Sequence, residues 1–161
     1  MNALMKIRAM LRRDYWTFLK SKWRFVEFFY FPITSLIIWG VFALWTGKLG
    51  SYAGKLALVI NIFWSLAYNA QSTINLSINE DSWHREGKHI LVASVGKWLY
   101  LLARIIFGLS IALSNLVITL LISQLFFVDI FSHLAKLLIF VFLTSLISIG
   151  MAMIIAGLFF M

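Results

Sequence analysis

The residues best suited to chemistry lie between Asn79 and Ser94, NEDSWHREGKHILVAS, where Glu80, Asp81 and Glu86, three of the six acidic residues, stand beside Arg85 and Lys88. Interleaved carboxylates and cations of this kind suit ion pairing with a partner surface. They do not form a metal site: His84 and His89 are five residues apart, off a common helical face, and His133 lies beyond the next apolar run. With no cysteine in the chain, thiolate metal sites and disulfides are excluded. Lys48 and Lys55 each lie near glycines, but Leu49 fills the first glycine position of a phosphate-binding loop and Leu56 follows the lysine, so that nucleotide motif fails. No serine with a matching histidine and acid stands out. No enzyme active site is therefore visible in the sequence, and no cofactor is implied.

The elements that must position this charged segment are apolar. Of 161 residues, 62% are hydrophobic and 12% charged, with a mean hydropathy of +0.93, well beyond a soluble domain. The net charge of +8 is unevenly placed, since seven of the fourteen Lys and Arg precede residue 25. Residues 3–25 read as an amphipathic helix on the membrane surface, with Leu4, Ile7, Leu11, Tyr15 and Phe18 on one line and Lys6, Arg13, Lys20 and Arg24 on another. That position favours anionic lipid headgroups; no groove-reading module for nucleic acid accompanies it. The same charges break up any cleavable signal.

Four apolar runs then follow, at 28–46, 56–78, 101–128 and 137–160, each long enough to span a bilayer. Pro32 is expected in the first turn of the first span, where a missing N–H is tolerated, and Trp45 at the far interface. The second span carries a polar line of Asn61, Ser65, Asn69 and Ser72, which should avoid lipid and make interhelical hydrogen bonds or line a polar path. Lys97, Trp98, Tyr100 and Arg104 read as interfacial anchors before the third span, which has a small face of Gly108, Ala112, Asn115 and Thr119. The fourth has Thr144, Ser148, Ala152 and Ala156 at four-residue spacing, a pattern for close helix packing. Residues 79–94 form the segment between spans two and three, opened by a short helix that Asn79 caps, with Glu80 and Asp81 in its first turn and Gly87 ending it.

Orientation follows from the basic residues. The N-terminal seven, with Arg85, Lys88, Lys97 and Arg104, fall on one side and only Lys48, Lys55 and Lys136 on the other, which places the N-terminus and the 79–94 segment in the cytoplasm.

This order of parts resembles the permease subunits of ABC-2 type ABC transporters. The resemblance lies in LRRDYWTFLKSKWRF (11–25) leading to Phe31-Pro32, in AQSTINLSINEDSWHREGKHILVAS (70–94), and in the approach to span three from Gly96 to Gly108. It covers the chain but only the family's first four spans. Val95 stands where many members have proline, and the chain stops at Met161, so it reads as a truncated or split permease. The resemblance implies that Glu80, Asp81, Trp83, Arg85 and Glu86 form a coupling helix that docks on a separate ATPase subunit. It also implies a homodimer or a paired permease half in the plasma membrane. The expectation is thus an all-α integral membrane protein, not itself an enzyme, serving as the membrane-spanning permease subunit of an exporter. The alternative is a small four-span scaffold or assembly protein without transport activity.

Overall fold

A computed structural model describes residues 3–48, 50, 52–83, 96–127 and 134–159. Among these residues the chain is all-helical, with five helices: α1 (Ala3–Lys20), α2 (Lys22–Lys48), α3 (Ala53–Trp83), α4 (Lys97–Phe126) and α5 (Leu134–Phe159). By length and composition α2, α4 and the Lys136–Ile155 part of α5 can each cross a membrane, which marks the chain as a membrane protein. Their outer surfaces agree: Ile38 on α2, Val117 on α4, and Phe140, Ile147 and Ile154 on α5 are all exposed.

Ser21 alone separates α1 from α2. Its N–H closes α1 on Thr17 and Phe18 carbonyls, while its hydroxyl accepts the Arg24 N–H at 3.5 Å as an N-cap of α2. The first apolar helix therefore begins at Lys22 rather than at Phe28, and Pro32 lies inside it rather than in its first turn.

The central helix is α3, which packs on α2, α4 and α5. Leu58, Ile62, Leu66, Ala70, Ile74 and Ile78 form its buried line, four residues apart throughout. Against this line α4 sets Gly108, Ala112 and Thr119, all buried, with Gly108 close enough that a Cβ there would meet the Ala70 carbonyl oxygen at 3.1 Å. From α5 come Ser148 and Ala152, both buried; Thr144 is half-buried, and the Ala156 side chain lies outside what is described. Tight approach of backbones is the packing mode that membrane helices favour.

The expected boundary between the second span and a separate helix at Asn79 is corrected: α3 runs unbroken to Trp83, so Asn79 is helical and caps nothing. Glu80 and Asp81 consequently sit at the C-terminal end of a helix, where the dipole disfavours acids. Ion pairs with other helices offset this.

Candidate functional site

Two neighbouring features stand out, a buried ion cluster at one end of the bundle and a polar groove leading away from it. In the cluster, α3 supplies Asp81, α1 supplies Arg13 and Asp14, and α4 supplies Tyr100 and Arg104. Arg104 is only 1% exposed and bridges the two acids, one terminal nitrogen on Asp14 and the other on Asp81. Tyr100 donates its hydroxyl to the same Asp81 oxygen at 2.7 Å, and its ring lies 4.9 Å from the Arg104 guanidinium. Arg13 completes the set, on Asp81 at 2.8 Å and on Asp14 at 3.3 Å. Two arginines and two aspartates leave the cluster formally neutral, with all four carboxylate oxygens accepting hydrogen bonds, so the charges survive burial.

One residue earlier, Glu80 pairs with Arg24 of α2. Aromatic contacts brace the junction: Tyr15 and Phe18 of α1 meet Phe107 edge-on at 5.2 and 6.4 Å. Only part of α1 follows the amphipathic line expected of it. Ile7, Leu11 and Phe18 are half-buried, but Leu4 is exposed, Asp14 is buried, and Arg13 turns partly inward while Arg8 and Arg12 stay exposed.

The groove runs between α2 and α3 with a cavity of about 550 Å³. Asn61, Ser65, Asn69 and Ser72 all line it, so the polar line read from the sequence shares one wall. Asn61 accepts a hydrogen bond from Ser35 of α2 at 2.9 Å, and Asn69 bonds back to the Ser65 carbonyl at 2.8 Å. The most telling contact involves Pro32. Without an N–H, Pro32 leaves the Phe28 carbonyl unserved inside the helix, and the Asn115 side chain of α4 donates to that carbonyl at 2.7 Å. Asn115 in turn accepts a long 3.5 Å contact from Asn69, which joins α2, α3 and α4 at one level. In lipid, a carbonyl freed by proline needs such a donor.

Asn115→Leu is therefore expected to destabilise the bundle by about 1–3 kcal/mol through an unsatisfied carbonyl. In a Pro32→Ala background, where residue 32 regains its N–H, the same change should cost distinctly less. Equal costs in both backgrounds, measured by thermal unfolding in detergent, would mean that Asn115 does not serve Phe28.

Of the expected docking residues, Arg85 and Glu86 lie outside the described residues, and nothing is described of the Trp83 side chain. Glu80 is paired and partly exposed, whereas Asp81 is buried and turned inward, so its carboxylate is not part of an outer face. Tyr100 and Arg104 correct another expectation. They are buried cluster members rather than interfacial anchors, unlike Lys97 and Trp98, which are exposed. Sequence reasoning missed the cluster as a unit. Its signal was an arginine inside an apolar segment and a lone aspartate in a basic helix, two charges that each require a partner.

No family model matches the chain, nor does any curated protein or solved structure.

Proposed function

We propose that this chain is a four-span transport subunit, the permease part of an exporter driven by a separate ATPase on its cytoplasmic side. One observation carries the reading: two successive residues of α3, Glu80 and Asp81, are tied by ion pairs to α2 on one side and to α1 and α4 on the other. A load applied to the chain just beyond Trp83 would thus reach four helices at once, as an externally powered membrane machine needs. In this reading Glu80 and Asp81 transmit force, and docking falls to Trp83, Arg85 and Glu86. Although α3 is less apolar than the other long helices, its central position, packed on α2, α4 and α5, supports counting it as a span alongside those three. The basic residues of α1 and of the 79–94 segment support a cytoplasmic location for this end, and exposed Arg8, Arg12 and Trp16 suit α1 to an anionic membrane surface.

The test is copurification. The tagged chain is expected to retain an ATPase from its native membranes, and Trp83→Ala to lose it, as truncation of an interface-centre aromatic commonly costs 2 kcal/mol or more. Ser51→Ala, between α2 and α3 in the sequence, should keep it. Retention by Trp83→Ala, or absence of any ATPase from the unaltered chain, would remove the transport reading and favour the membrane scaffold.

A further inference from the structure

The groove between α2 and α3 has a chemistry more specific than a polar wall. Its α3 side is built from amides and hydroxyls, groups that both donate and accept hydrogen bonds. Part of that capacity is unspent: Asn75 is one of the lining residues, and its buried Oδ1 accepts no hydrogen bond. The charges at the cavity's end do not favour an anion: Arg24 is held by Glu80, and Glu27 adds a second carboxylate. The lips are aromatic and open to the outside, with Trp64 and Tyr68 one turn apart on α3 and Phe31 opposite on α2, each at least 60% exposed. Such side chains offer flat apolar faces with polar tips in the case of tryptophan and tyrosine. From Asn61 to Asn79 the wall extends about 27 Å at helical rise, comparable to a hydrocarbon core. A volume of about 550 Å³ lies within the range of small-molecule sites.

We propose that this groove is a laterally open binding site for the uncharged, hydroxyl-rich head of a membrane amphiphile, such as a neutral glycolipid. Hydroxyls of the head exchange hydrogen bonds with Ser72, Asn75 and their neighbours, and a ring lies against Trp64 or Tyr68. The apolar tails stay outside the lips, in the bilayer. The site deepens the transport reading by giving it a substrate class, yet it depends only on the chain's residence in a membrane. It can therefore fail or succeed without the ATPase.

The test uses the purified full chain alone, in detergent, offered a monoglucosyl diacylglycerol or a phosphatidylglycerol with the same acyl chains, with bound lipid counted by native mass spectrometry. The glucolipid is expected to be retained roughly tenfold more than the anionic lipid, equivalent to a tenfold difference in Kd. Trp64→Ala, at an exposed rim position that leaves the core intact, should remove most of that preference, and Asn75→Leu should do the same while the helical circular dichroism signal stays unchanged. Equal retention of the two lipids would overturn the proposal. So would undiminished glucolipid retention in both variants, or recovery of the chain only as a lipid-free dimer with Trp64 protected at its interface.

Discussion

Arg104→Met is expected to lower the stability of the bundle by about 3–5 kcal/mol, the cost of removing one partner from a buried ion pair. The size follows from what remains. Asp14 and Asp81, both nearly fully buried, would face each other with only the partly exposed Arg13 between them. Burial makes the loss large, whereas the contribution of Arg13 is reduced by solvent. The counterpart is a variant in which the whole cluster becomes apolar: Asp14→Leu, Asp81→Leu, Tyr100→Phe and Arg104→Met together. Replacing a complete buried charge cluster is commonly neutral or stabilising, so this variant should recover most of the lost stability, with Arg13 turning to solvent. Thermal unfolding in one detergent compares the three proteins. An Arg104→Met protein as stable as the parent would mean that the cluster does not hold the helices.

The second large effect is expected at the α3–α4 seam. Gly108 has no side chain because a Cβ there would strike the Ile74 side chain and press on the Ala70 carbonyl oxygen at 3.1 Å. Ile74 is 2% exposed and cannot swing away, and the carbonyl belongs to a helix backbone. Gly108→Leu must therefore part the two helices, and about 1–3 kcal/mol is the usual cost of overpacking, with the upper end expected for a contact against backbone. Gly150→Leu supplies the control, since nothing lies within 4 Å of a Cβ at that position on α5. Matched unfolding curves should separate the two variants clearly. If both shift alike, then the close approach of α3 and α4 is not what Gly108 provides.

Much of this architecture was legible from residue order. Apolar runs located the helices because a bilayer demands length, and small residues three or four apart marked a face that is indeed buried on α4, at Gly108, Ala112, Asn115 and Thr119. The errors have a common physical origin. Asn79, Glu80 and Asp81 look like a helix start by local capping rules, yet long-range partners stabilise them at a helix end: Arg24 for Glu80, and Arg13 and Arg104 for Asp81. Pro32 looked like a first-turn residue because charges at Lys22, Arg24 and Glu27 disguised the ten residues before it. The Phe28 carbonyl that it leaves free accepts from Asn115, 87 residues further along the chain, which no local window contains. The polar line of α3 was visible, but the matching aromatic lips belong to two helices and appear only once these are packed together.

The ion cluster also bears on the order in which the protein can be assembled. Asp14 and Asp81 leave the ribosome before Arg104, which is followed within α4 by an uncharged apolar stretch that must enter the bilayer. When that stretch arrives, both acids that neutralise its arginine have already been made, and each belongs to a different earlier helix. Closure of the cluster then waits for α4 and joins it to α1 across α3. A chain that mispositions α1 during synthesis would leave Arg104 with Asp81 as its single acidic partner, and the same contacts that stabilise the finished bundle would act beforehand as a proofreading step in its biogenesis.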